Sequence, residues 1–260
     1  MNPKVTKEYE MLYNLVTTRM SVRKFKPNPI PDGYMEKILE VARWAMSGAN
    51  SQPWEFIVVR DPEIKRRLRD AYSEYNTDYI FWMEQQREYK LRHPSYQVKE
   101  KLHESLAFNK KKANWHLAPA VIVVLGDGRR QWGTVMGAHT FGRDQSHLTD
   151  GLANASFLIH LAVASLGLTS EWVTIHIQEP FKRILGVPDL LTLYLIVPIG
   201  LPDVGPRPGV RRPLDELVHY DRYDMKKYMS NEEILRYLYG LREATVPAHS
   251  SSRGVSVEEK

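Results

Sequence analysis

The sequence predicts an α+β domain, a central sheet flanked by helices, and three observations carry that expectation. Four short β-branched runs are spread across the chain, stretches with apolar residues at helical spacing precede and separate them, and one run, residues 148–166, is apolar nearly all round. The 260 residues are 43% apolar and 26% charged, enough to bury a sizeable core. No Gly/Ser/Pro-rich linker divides the middle, so residues 1–245 read as a single domain.

Residues 6–18 place Tyr9, Leu12, Tyr13 and Val16 at helical spacing. A second helix is predicted over 32–45, with Ile38, Leu39, Ala42 and Ala45 on one face and Pro31 and Asp32 marking its start. WEFIVV at 54–59, behind Pro53, reads as a strand, as do 120–125, 172–177 and 194–199. Between the first two strands, residues 62–119 read as charged helices interspersed with aromatics, an insertion-like helical segment. The run at 148–166, which includes GLANASFLIHLAVASL, lacks the polar face of a surface helix and predicts a central helix, buried in the fold or at a subunit contact. Residues 246–260 have too few apolar groups to offset their ordering entropy, and a disordered tail is expected there.

A formal charge of +5 is only mildly basic for this length, so nucleic acid is not implied. The chain has no cysteine, which removes disulfides, thiolate metal sites, iron–sulfur clusters and a Cys nucleophile. The first ten residues are polar with no apolar stretch behind them, and no run approaches the roughly 20 residues that span a bilayer. A cytoplasmic protein without a membrane partner is expected. No G-x-G-x-x-G follows a strand and no phosphate-binding G-x-x-x-x-G-K-[ST] occurs. His139, Asp144 and His147 match no metal-ligand spacing, so no metal is expected. Lys110, Lys111 and Lys112, beside Lys99 and Lys101, are interrupted by Glu100 and Glu104 and read as a solvated helix face.

Two stretches carry chemistry. In RMSVR, an extended backbone puts Arg19, Ser21 and Arg23 on one side and Met20 and Val22 on the other, so two guanidinium forks and a hydroxyl make a phosphate cradle. A charged strand edge has the same pattern. In SGANSQPW, the small Ser47 and Gly48 let backbone approach a flat ring, while the amides of Asn50 and Gln52 offer donors and acceptors to its polar edge. A helix C-terminus followed by a turn also suits these residues.

Together, RMSVR and MSGANSQPW, with Pro29 and Pro31 between them, resemble the paired opening motifs of the FMN-dependent nitroreductase superfamily, which includes the iodotyrosine deiodinases. AVASLGL, EWVTI, LGVP, IVPIGLP and VRRPLDELV extend the resemblance over roughly residues 12–223. Met46 stands where the family usually has proline and Met20 where it often has a second arginine. The resemblance implies a mostly antiparallel sheet, an intertwined homodimer and a helical lid at 62–119. It implies FMN as cofactor, with Arg19, Ser21, Arg23 and Arg211 at the phosphate and ribityl end and Ser47 and Gly48 along the ring. Asn50 and Gln52 would reach the flavin across the dimer boundary. The contact to the flavin N5 would fall at Thr174 or Ile175, through a backbone N–H or the Thr174 hydroxyl.

The family's common reaction is ping-pong transfer of hydride from NAD(P)H, through the flavin, to a small electron-poor aromatic such as a nitroarene or quinone. Tyr75, Tyr79 and Trp82 are candidates for the substrate face, where an aromatic could stack. Reductive dehalogenation is the alternative, supported by Thr174 and the helical segment. Against halotyrosine itself, the Glu-x-x-x-Tyr with which that branch clamps its substrate is missing between Glu63 and Trp115. A non-catalytic flavin-binding protein would need the same phosphate cradle.

Overall fold

The computed structural model describes residues 5–93, 96, 114–130, 144–205, 209 and 211–252. The lysine run at 110–112, His139 and the last part of the expected tail lie outside them. The helices are α1 (Lys7–Thr18), α2 (Tyr34–Ala42), α3 (Pro62–Ala71), α4 (Thr77–Gln85), α5 (Asp144–Ser165), α6 (Glu179–Leu185), the short α7 (Leu214–Leu217) and α8 (Asn231–Ser252). The strands are β1 (Trp54–Val59), β2 (Ala120–Asp127), β3 (Thr169–Ser170), β4 (Val173–Thr174) and β5 (Leu191–Gly200).

The strands form one sheet in the order β1-β2-β5-β3, with β4 also paired to β5, and every pair is antiparallel. The expected α+β class, a mostly antiparallel sheet between helices, is what the chain forms. Alternate side chains of β2 and β5 feed two cores. Ile122, Val124, Leu195, Val197 and Ile199 pack with Ile38 of α2 and Leu152, Ala155 and Ile159 of α5. Val121, Val123, Leu193 and Ile196 pack with Leu68 of α3 and Phe181 of α6. Because both faces are covered, β2 is buried along its whole length, and that is why its sequence is a continuous apolar run instead of an alternating one. Gly126 lets α5 lie close over β2, since a Cβ there would stand 2.6 Å from a Leu152 methyl.

Three expectations change. The strand foreseen at 172–177 shrinks to Val173–Thr174, with Thr169–Ser170 a separate piece. Between them the ladder meets Pro198 of β5, which has no N–H to give, and Glu171 donates one bond to its carbonyl at 3.2 Å. Beyond Thr174, the N–H groups of His176 and Ile177 turn away from the sheet to the Asn76 side chain, at 2.8 and 2.9 Å. Within 62–119, α3 is part of the body, because Leu68 and Ala71 are buried in the second core. A π-helical turn, Tyr72–Asn76, separates it from α4. Finally, α8 continues to Ser252, into the stretch expected to be disordered. Extending an established helix adds one hydrogen bond per residue ordered, a gain that composition alone does not reveal. No helix among the described residues is long and apolar enough to cross a membrane.

Candidate functional site

Arg19 caps the end of α1, its N–H bonded to the Leu15 carbonyl at 3.0 Å, and the chain leaves the helix extended. The extended segment then runs beside β3: Ser21 bridges Ser170 in parallel, and the Val22 N–H donates to the Ser170 carbonyl at 3.2 Å. Val22 is buried, as the alternation requires. Arg23 pairs through Nε with the Glu171 carboxylate at 3.0 Å.

Arg211, exposed in the distant loop after β5, lies near enough for its charge to act on Arg19. Burial first, and the neighbouring Arg211 guanidinium second, push the Arg19 pKa down. The Arg211 guanidinium folds back over Gly209, where a Cβ would lie 2.5 Å from one of its nitrogens. Arg19, Met20, His160, Val163, Ala164 and Ser170 help to line a cavity of about 310 Å³ between α1 and α5. His160 is only 3% exposed, its Nδ1 lies 2.6 Å from the Ser170 hydroxyl, and its Nε2 has no hydrogen-bond partner among the described residues. Burial, and after it the charge of Arg19, lower the His160 pKa to about 4. Its ring stacks on Trp172 at 5.7 Å.

The second stretch forms a strained loop. Ala49, Asn50 and Gln52 all have positive φ, a region that side-chain-bearing residues rarely adopt. The Ser47 hydroxyl accepts from the Gln52 N–H at 3.0 Å, and the Ser47 carbonyl accepts from Asn50 at 3.0 Å. The loop is seated on the first half of α5: Asn154 donates to the Met46 carbonyl at 3.0 Å, and a Cβ on Gly151 would stand 3.3 Å from Ser47 and Pro53. Gly48 faces the His147 ring. Asn50 and Gln52 are exposed. From Gly151 to Ala164, beside the Arg19 cavity, α5 rises about 20 Å at 1.5 Å per residue. The two stretches that the sequence pairs therefore stand at opposite ends of one helix.

Thr174 lies exposed at the end of β4, whereas the Ile175 side chain is buried in the second core and leaves only its backbone for any ligand. Tyr79 stacks on His176 at 4.8 Å, two residues beyond Thr174. Packing lowers the His176 pKa by desolvation, which favours the neutral imidazole at pH 7. Tyr75 instead borders an open groove of about 340 Å³ with Arg67, Arg183 and Ile184. Trp82 is exposed, with its ring at the edge of Phe81. Among the described residues no His, Asp and Glu cluster could hold a metal.

The sequence reading missed His160, Ser170, Glu171 and Asn76. His160 had a signal, as the one ionisable side chain in the apolar run after Asp150; Asn76 had none, since its partners are about a hundred residues away.

Comparison with known proteins adds to this geometry. The nitroreductase family model matches residues 16–201. An NADH dehydrogenase of Thermus thermophilus is 27% identical over 205 residues, 77% of this chain and 91% of that protein. An iodotyrosine deiodinase of Danio rerio is 26% identical over 201 residues, 74% of this chain, which spans only 60% of that relative's length. Among solved structures, an oxidized iodotyrosine deiodinase bound to FMN and 3-iodo-L-tyrosine superposes with a TM-score of 0.59 at 24% identity, over 82% of this chain and all of that one. An FMN-dependent nitroreductase from Clostridium difficile gives 0.54 at 20% identity, over 81% and 99%. These structural likenesses speak to the fold.

Proposed function

This chain belongs to the nitroreductase family, and from that premise we propose that it is an FMN-dependent oxidoreductase that takes hydride from NAD(P)H and delivers it to electron-poor aromatics such as nitroarenes or quinones. The observation that carries this reading is that Arg19, which lines a cavity with Ser170, feels the like charge of Arg211 from far along the sequence. A phosphate dianion offsets their repulsion and accepts from guanidinium forks, so the donor set fits the phosphate end of FMN. When bound, FMN supplies the ring that accepts and passes on hydride. Arg19 and Arg211 hold its phosphate, the Ser21 hydroxyl offers a further hydrogen bond, and Arg23, oriented by Glu171, flanks them. Thr174, exposed at the end of β4, would donate to the ring nitrogen N5 through its hydroxyl or backbone. The neutral His176 imidazole, stacked on Tyr79 two residues beyond Thr174, could accept a proton there.

The site is completed by a second copy of the chain in this reading. Ser47, Gly48, Asn50 and Gln52 sit about 20 Å along α5 from the Arg19 cavity of their own chain, so they serve the flavin held by the partner. Exposed apolar side chains beside the loop support a subunit contact: Trp44 and Met46 are 72% and 78% exposed, and Phe157 of α5 is 47% exposed.

Reductive dehalogenation is the second reading, favoured by the exposed Thr174 and by relatives named iodotyrosine deiodinase. One experiment separates these possibilities. The purified protein is heated and the released cofactor identified by chromatography, then the intact protein is reduced with NADH or NADPH in a stopped-flow instrument and reoxidised with nitro, quinone and halogenated aromatics. About one non-covalent FMN per chain is expected, with fastest reoxidation by nitroarenes or quinones. Finding FAD, or no flavin, overturns the proposal; fastest reoxidation by halogenated aromatics selects the second reading, and a reduced flavin that no acceptor reoxidises selects a flavin-binding protein without catalysis.

A further inference from the structure

A histidine with almost no exposure in an apolar helix is costly, and the hydrogen bonds around it say what it holds. The only hydrogen bond that the described residues give the His160 imidazole runs from Nδ1 to the Ser170 hydroxyl, at 2.6 Å. Ser170 is in turn the residue against which the cradle segment is built: its carbonyl accepts from the Val22 N–H at 3.2 Å, and it bridges Ser21. The next residue, Glu171, orients Arg23 at 3.0 Å. The residue after that, Trp172, carries the flat face on which the imidazole stacks, and leads into β4 and Thr174. β3 itself has only Thr169 and Ser170 in register with β5. So short a ladder leaves the orientation of Ser170 to be set by its side-chain partner as well.

We propose that His160 is a positioning residue for the flavin phosphate, acting through Ser170 to hold Ser21 and Arg23 in their extended register. This role rests on the FMN reading above, but it assigns work to a helix residue that does not itself touch the phosphate. It also accounts for a polar group buried near the C-terminal end of α5, where an apolar residue would satisfy packing alone.

The test compares affinity for FMN with affinity for riboflavin, which has the same ring and ribityl chain but no phosphate, by flavin fluorescence on apoprotein. His160→Phe keeps a flat ring against Trp172 and removes Nδ1, Ser170→Ala removes the other end of the bond, and His160→Asn keeps an amide nitrogen near the place of Nδ1. His160→Phe and Ser170→Ala should each weaken FMN binding about tenfold, as expected for one lost hydrogen bond, and leave riboflavin binding unchanged. The double variant should be no weaker than either single variant, and His160→Asn should recover most of the loss. Equal losses for FMN and riboflavin mean that His160 merely supports the fold, and overturn the proposal. Unchanged FMN binding in both single variants overturns it too. If His160→Phe does not fold, Ser170→Ala decides between these outcomes alone. A wild-type protein that binds neither flavin overturns the FMN reading itself, whereas wild-type preference for FMN that survives in the variants overturns only the role of His160.

Discussion

Arg19 sits where burial and a second guanidinium both disfavour its charge, and an anion bound there, as proposed, would offset both. Arg211→Ala is therefore expected to weaken FMN binding at least tenfold, one charge-assisted hydrogen bond being worth about 1.5–3 kcal/mol. The exposed Lys37→Ala serves as control, and equal affinities in the two variants would count against Arg211 as a phosphate ligand. His160 makes a separate prediction about pH. Its folded pKa of about 4 lies below the unfolded value near 6.5, so between these values the unfolded chain binds more protons. Its contribution to stability is complete above pH 6.5 and is lost as pH falls towards 4, about 2 kcal/mol by pH 5. Urea midpoints at pH 7, 6 and 5 should fall more steeply for wild type than for His160→Phe; parallel profiles would show that the buried imidazole is not what titrates. At this scale the sequence makes the extended segment legible, with Val22 buried beneath it. Arg19, Ser21 and Arg23 announce themselves by alternation, but nothing in the spacing of single residues brings Arg211 to Arg19, and only the resemblance linked them.

The π-helical turn and α4 are tied to the end of β4 by one side chain. Asn76 is fully buried and accepts two backbone N–H groups, those of His176 and Ile177, while α4 places Tyr79 on the His176 ring. Asn76→Ala would leave two partly buried donors without their partner, with an expected loss of about 1–3 kcal/mol in urea unfolding. A loss below about 1 kcal/mol would show that water takes over both bonds. The same residue explains a limit of sequence reading. WVTIHI has the composition of a full strand, and it stops after Thr174 because its next N–H groups are claimed from outside the sheet. WEFIVV had no such competitor and formed as expected, bounded by Pro53 and Pro62. The apolar run of α5 was legible as a central helix, of which one side is buried in the core and Phe157 stays exposed, and its first residues reach back to Asp144.

For the whole molecule, the proposed sharing of the flavin between two copies would make association a matter of function as well as stability. Phe157→Glu would put a charge into the proposed subunit contact. It is expected to shift sedimentation from dimer to monomer and to release FMN in parallel; a wild-type protein that sediments as a monomer with flavin bound would exclude a shared site. The sheet that positions all of this has a further consequence for how the chain reaches its native state. Val59 pairs with Val121 and Ala120 with Ile199, so every central pairing must close a loop of some sixty residues or more before it gains anything. Until then AVIVVL, without a charge or a proline, is a strand in search of any neighbour. Refolding from urea should accordingly be slow, and its yield should drop when protein concentration is raised tenfold, as nascent chains capture each other by the same edge that β5 finally covers.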